Sequence, residues 1–288
     1  MIQDFIQYDF IRNAAIVGIM IGFLAPLLGV FIVVRRQALI ADALSHITLA
    51  GIAASLLLSK QFIMFKTLNP VYIGMAFSVT GSILIEKLRI EYKHFQELAI
   101  PIILSIGIGL SVVFISLANG FNTDLFNYLF GSIIAVGVSD VWMVFIVLIV
   151  VVIAIFLFYK ELFLLSFDEE QAHVSGIRSR FIHFLFMILV ALVIAASMRI
   201  VGILLVSALI TLPVAASIRI ATGFKQAILY SIGFGEMSVI GGLIVSYYFD
   251  LAPGGTIVLI AALILVSVII WKKNRYIFRN GKHKEGNV

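Results

Sequence analysis

The sequence predicts an all-α fold, a polytopic membrane helix bundle, and three observations carry that reading. Hydrophobic residues make up 62% of the 288 residues and charged residues 12%, against about half and about a quarter in a soluble domain. Apolar stretches recur at the roughly 20-residue length that a spanning helix needs. Basic residues collect in alternate connections between those stretches, as they do where a bilayer orients the chain. Too little polar sequence is left for a separate globular domain, so a soluble enzyme is excluded and residues 1–288 read as one transmembrane domain. The stretches are continuous and do not alternate with period two, which also excludes a bilayer β-barrel.

Taken in order, the candidate spans lie near 12–34, 42–59, 68–86, 98–118, 139–159, 181–199, 202–219, 227–248 and 255–271. Residues 1–11 hold Asp4 and Asp9 and no Lys or Arg, the wrong charge for a cleavable signal peptide, so the first span is expected to stay in the mature protein. The second span is short and opens with charge, and 199–202 is a tight join, either a kink or an unwound stretch; the count is therefore eight or nine. Between the fourth and fifth spans, "DLFNYLFGSIIAVGVSD" (124–140) is too apolar for a free loop and too short to cross. It reads as a short helix at, or dipping into, the outer face, where non-helical backbone must be covered by protein or line a watery cavity.

Arg35, Arg36, Lys87, Arg89, Lys93, Lys160, Arg178, Arg180, Arg219, Lys225 and the six basic residues of the tail 272–288 fall on one side, 16 of 20 in all. Only Arg12, Lys60, Lys66 and Arg199 fall on the other. The positive-inside rule then places the N-terminus outside and the C-terminal tail in the cytoplasm. The net charge of +5 is thus a matter of orientation, and membrane lipid, with no nucleic acid, is the expected environment.

With no cysteine in the chain, any transition-metal chemistry falls to His, Asp, Glu or Met. Asp42 and His46, in "LIADALSHITLAG", stand four residues apart and project from one helix face. A carboxylate and an imidazole suit Zn²⁺ or Mn²⁺; alternatively Asp42 favours the helix dipole with His46 as its hydrogen-bond partner. Two ligands do not complete a site, which needs another helix, water or a second chain. Glu236, in "IGFGEMSVIGG", is the other acid well inside a span. It reads as a further metal ligand, a proton carrier, or a group in a gap near the cytoplasmic end made by Gly233 and Gly235.

On the basic side, "LSFDEEQAHVSGIRSR" reads as a short helix lying along the membrane. Ser166 or Asp168 would cap it, Glu169 and Glu170 fill its first turn, and Gly176 stops it. Its Phe167, Ala172 and Val174 beside charges suit docking to a cytoplasmic partner, although a plain connector would look similar. His94, His173 and His283 read as surface residues, and His183 has no evident partner. No G-x-x-x-x-G-K-[ST] loop is present, so this chain has no such means of hydrolysing ATP. Neither H-E-x-x-H nor a serine, histidine and acid constellation is found.

At "VRRQALIADALSHITLAGIA" the chain resembles the membrane permeases of the zinc and manganese ABC importers, the bacterial metal-ion ABC-3 family. "NYLFGSI", "FDEEQAHVSGI", "VGILLVSALITLPVAAS" and "YYFDLAPGGTIVL" follow the family's order over nearly the whole length. The resemblance implies a transporter subunit of the bacterial plasma membrane, not an enzyme. It further implies a pore made with a second copy, two cytoplasmic ATP-binding subunits docked through 166–176, and an extracellular metal-binding protein. Asp42 and His46 match the family's Asp-x-x-x-His pair in the translocation pathway. No cofactor is expected to stay bound; the metal is cargo, and ATP belongs to the partner subunit. "IADALSH" followed by "TLAG" looks more like zinc than manganese members, which tend to have Gly before the Asp and Leu-Pro-Gly after the His. Zinc is therefore the expected ion, with manganese the alternative; a self-contained channel or secondary transporter would have no need of segment 166–176.

Overall fold

The computed structural model describes residues 8–62, 67–118, 120 and 123–285, without the side chains of Glu169, Glu170, His173 and residues 275–285. Asp4, Lys66 and the carboxylates of Glu169 and Glu170, expected in the docking helix, thus fall wholly or in their side chains outside the described part. Among the described residues the regular structure is helical throughout.

Helix α1 (Asp9–Val34) carries Pro26 in its interior, and α2 (Leu39–Gln61) follows after a four-residue turn. Pro70 at the first position opens α3 (Pro70–Glu91), where the Asn69 side chain accepts a hydrogen bond from the Val71 N–H at 3.1 Å. That pairing satisfies one of the orphan donors of a helix start. A 3₁₀ turn (Gln96–Leu98) leads into α4 (Ala99–Leu117). The short α5 (Thr123–Phe130) precedes α6 (Val138–Leu157). Two short helices, α7 (Tyr159–Phe167) and α8 (Glu169–Val174), come next. The chain ends with α9 (Ser179–Val201), α10 (Ile203–Ile220), α11 (Phe224–Phe249) and α12 (Pro253–Glu285). Among the described residues nine helices are long and apolar enough to cross a membrane, including the short second candidate. Helix α7 is absent from the sequence reading, and the last helix runs well past Trp271, the expected end of the span.

Helices α1, α2 and α9 are mostly buried and form the inside of the bundle. Their contacts hold the largest buried side chains, among them Phe31, Phe186, Ile21 and Leu24. The outer faces of α6, α11 and α12 expose Phe156, Leu229 and Leu263, as expected of helices that meet lipid on one side and protein on the other.

The ends of the bundle separate cleanly. At one end the rings of Phe31, Phe163, Phe167, Phe186 and Phe224 form a continuous aromatic cluster. It joins the end of α1, the end of α7, the start of α9 and the start of α11. At the other end the Lys60 ammonium donates to the Ala118 carbonyl, tying α2 to α4. Arg199 there reaches Asp140 and the Ala135 carbonyl. Each spanning helix runs from one end to the other, so α9 and α10 run in opposite directions although Gly202 alone separates them. The tight join is neither a kinked continuous helix nor a long unwound stretch; it is a one-residue reversal.

Gly202 has φ +81° and ψ 149°, a region essentially closed to other residues. A Cβ there would lie 2.5 Å from the Leu129 carbonyl oxygen, one at Gly131 2.0 Å from the Ile200 carbonyl, and one at Gly254 1.8 Å from the Val201 carbonyl. Three backbones therefore cross at one point: the end of α5, the α9–α10 reversal and the start of α12. The Ser132 N–H donates to the Arg199 carbonyl beside this crossing. Three of the family-like segments, "NYLFGSI", "VGILL" and "APGG", supply those glycines, which explains their composition in backbone terms. Helix α5, with Leu125, Tyr128 and Leu129 buried, is thereby held inside protein, as a short helix at membrane depth requires.

Candidate functional site: the Asp42 and His46 face, the capped segment and the Arg199 network

Asp42 and His46 sit in the first two turns of α2, at the aromatic-cluster end. The opposite face of that helix is packed: Ile47 lies against Gly107 of α4 and Gly81 of α3, and the His46 carbonyl accepts from Ser111 Oγ at 3.0 Å. Close glycine contacts let α2 settle against both neighbours and so fix which way its remaining face points. On that remaining face the side chains of Asp42 and His46 are each only half-buried. Among the described residues no group of three or more His, Cys, Asp or Glu side chains gathers to hold a metal ion. Asp42 and His46 thus stand together with no third such side chain among the described residues.

Glu236 is not brought to this pair. It lies midway along α11, about 18 Å from the helix start at 1.5 Å per residue. Its carboxyl group packs over Gly22 of α1, where a Cβ would be 3.3 Å from Glu236 Oε2. The expected gap near the cytoplasmic end is thus replaced by one halfway through the bundle. Gly22 makes the room, with Gly235 in close contact with Pro26, whereas Gly233 faces open space.

The docking segment is built as a capped turn. Asp168 Oδ1 accepts the Gln171 N–H at 2.8 Å, so Asp168 is the cap. Ser166 is buried instead and donates to the Leu162 carbonyl at 2.6 Å. Gly176, at φ +78°, ends the turn, and the Ile177 N–H returns to the Ala172 carbonyl at 3.1 Å, a common glycine-closed helix end. Of the three apolar residues expected to face a partner, Val174 is 87% exposed and Phe167 61%. Ala172 is completely buried because its small side chain faces inward, where α8 rests on α7 and α9. It offers no surface, and its place in the expected docking face is corrected accordingly. Phe167 is also committed in part to its own chain, with its ring 5.0 Å from that of Phe163 and 5.7 Å from that of Phe224.

Two polar networks were not legible in the sequence. At the glycine-crossing end Arg199 donates to Asp140 Oδ2 at 2.6 Å, to the Ala135 carbonyl at 2.8 Å and to the Tyr128 hydroxyl at 3.1 Å. Asp140 also accepts from the Gly137 N–H at 2.9 Å and from the Asn69 amide at 3.1 Å. Burial pushes the Tyr128 phenol above its ordinary pKa, so its oxygen stays a neutral acceptor for the guanidinium. The network pins the non-helical stretch 131–137 between α3, α6 and α9 and borders a cavity of about 170 Å³ that also meets Leu56 of α2. At the other end His183 does have partners: its Nδ1 lies 2.9 Å from Glu86 Oε2, and Arg89 Nη1 donates to its Nε2 at 2.5 Å. The partners sit some 90 residues away in sequence, and only the packing of α3 on α9 brings them near.

A model of the ABC 3 transport family matches residues 7–272. The manganese import system permease protein ScaB of Streptococcus gordonii is 38% identical over 288 residues, spanning 98% of this chain and 100% of that protein. The manganese transport system membrane protein MntC of Listeria monocytogenes is 34% identical over 263 residues, 91% of each chain. Among solved structures, PsaBC from Streptococcus pneumoniae in complex with Fab has a TM-score of 0.80 at 32% sequence identity, covering 93% of both chains. The chain belongs to the ABC 3 transport family, as a membrane-spanning permease subunit and not an enzyme, with ATP hydrolysis carried by a separate subunit.

Proposed function

We propose that this chain, paired with a second copy, forms the pore of an ATP-driven importer of a divalent transition metal, and that the ion is Mn²⁺. The observation that carries the pore assignment is the half-site: Asp42 and His46 share a partly open face of α2, and among the described residues no third ligand joins them. Two copies across an axis supply two carboxylates and two imidazoles, a set that serves Mn²⁺ or Zn²⁺. Glu236 stands apart on α11 and is given no metal in this scheme.

The ion is chosen on the relatives. Those named for a metal carry manganese in their names, whereas the zinc expectation rests on the wording of "IADALSHITLAG" alone. Carboxylate and imidazole accept both ions, so the ligand types leave the choice open. In this scheme a separate extracellular metal-binding protein delivers the ion to the outer end. Two ATPase subunits dock on α8 at the basic end, where the excess of Lys and Arg places the cytoplasm.

Reconstitution in liposomes with the ATPase subunit and the metal-binding protein tests the reading. Mn²⁺ should stimulate ATP hydrolysis and accumulate inside. Stimulation by Zn²⁺ with none by Mn²⁺ would return the assignment to zinc. Accumulation of either ion without the ATPase would overturn the importer reading itself.

A further inference from the structure

Between the docking segment and the pore helix, among the described residues, Arg35 makes a side-chain bridge. Arg35 closes α1, where a cation meets the unsatisfied carbonyls of a helix end favourably. Its side chain does not stay there. Nε donates to Ser166 Oγ at 3.2 Å, Nη2 to the Leu162 carbonyl at 3.4 Å, and the guanidinium lies 5.0 Å from the centre of the Phe186 ring. Ser166 and Leu162 belong to α7, and Asp168, the cap of α8, follows directly after that helix.

On its other side Arg35 is joined rigidly to α2. The Arg36 N–H returns to the Val33 carbonyl at 2.9 Å and the Gln37 N–H to the Ile32 carbonyl at 3.0 Å. Arg36 takes the left-handed conformation at φ 58°, and the next bonds, Ile40 N–H to Gln37 and Ala41 N–H to Ala38, already belong to α2. Asp42 comes seven residues after Arg35 and His46 one turn later. A tight, fully bonded turn behaves as one piece, so a displacement of α7 at Ser166 is carried by the guanidinium fork to the start of the helix that bears the half-site. A cavity of about 240 Å³, lined by Arg35, Arg36, Gln37, Ser166, Phe167 and His183 among others, leaves the turn room to shift against the docking segment.

The geometry points to Arg35 as a positioning residue that couples the docking segment to the pore helix, through Ser166 and the Leu162 carbonyl. The inference rests on the reading of α8 as the ATPase dock. Two donors on two groups of one element make a link that resists both sliding and rotation, which the planar fork of arginine supports and the single ammonium of lysine does not.

The test is the number of Mn²⁺ ions moved per ATP hydrolysed in liposomes carrying the permease and its ATPase. A merely structural role lowers both quantities together, through fewer folded complexes, and leaves that ratio unchanged. Arg35→Ala should lower the ratio about tenfold while ATP hydrolysis persists, with Arg35→Lys in between. Ser166→Ala, which removes one acceptor and leaves the guanidinium in place, should lower it about threefold. An unchanged ratio in Arg35→Ala overturns the proposal; if that variant does not assemble, an unchanged ratio in Ser166→Ala does so. Docking is read separately, by cross-linking Val174→Cys to the ATPase in the otherwise unaltered permease. Failure of that cross-link sinks the docking reading, whereas a cross-link with an unchanged ratio sinks only the role of Arg35.

Discussion

Two side-chain pairs, one on α2 and one between α6 and α9, show how an aspartate serves different ends. Asp42 and His46 are half-buried, and among the described residues no third His, Cys, Asp or Glu joins them in a group that could hold a metal ion. His46→Ala removes an imidazole ligand, and Asp42→Asn keeps the shape but loses the charge that offsets bringing a divalent ion into low dielectric. Both should reduce Mn²⁺ uptake to the level of vesicles lacking the ATPase, at unchanged permease abundance on immunoblots. Uptake at the unaltered level would leave Asp42 as a helix-dipole residue only. Asp140, by contrast, is almost fully buried and saturated by Arg199, Asn69 and the Gly137 N–H. Arg199→Ala would strand its charge at a cost of about 3–5 kcal/mol. A clear fall in the melting temperature in detergent is expected, and a smaller one for Asp140→Asn, which keeps a hydrogen-bonding group beside a cation that still reaches the Ala135 carbonyl.

The element that differs most from its sequence reading is the connection between α6 and α9. A single short helix was expected after the fifth span; there are two, α7 and α8, hinged at the Asp168 cap. Val174 is the more informative residue to alter, since it projects from α8 without a packing role, whereas Phe167 shares its ring contacts with Phe163 and Phe224. Val174→Asp should abolish metal-stimulated ATP hydrolysis and leave the melting temperature within the noise of a surface change. Phe167→Asp should do the same but also lower the melting temperature, because it breaks into the aromatic cluster. If Val174→Asp supported full uptake, docking on this helix would be ruled out.

At the scale of the whole molecule, the sorting of basic residues and the geometry of the two ends make one statement. Connections rich in Lys and Arg meet around the aromatic cluster, and those poor in them meet around the glycine crossing and the Arg199 network. Because the chain has no cysteine, single introduced thiols report sidedness without background. Leu251→Cys, at the glycine-crossing end, should react with a membrane-impermeant maleimide in intact cells, whereas Ser175→Cys should react only after the membrane is opened. The reverse pattern would invert the topology and move the proposed dock outside.

Composition and periodicity by themselves determined the fold class, a count of eight or nine spans, the short helix before Gly131 and a turn capped by Ser166 or Asp168. Those features depend on local chemistry: apolar length against bilayer thickness, a carboxylate at a helix start, a glycine at its end. Spacing alone also placed Asp42 and His46 on one face, since four residues make about one turn. Other facts were decided only by tertiary packing. The inward turn of Ala172, the distance of Glu236 from the half-site and the partners of His183 depend on which helices become neighbours. So do the pairing of Arg199 with Asp140 and the bridge from Arg35 to Ser166, whose members lie far apart in sequence. Such contacts form where helix faces meet, and the apolar residues that fill the spans are too uniform to say which faces those are.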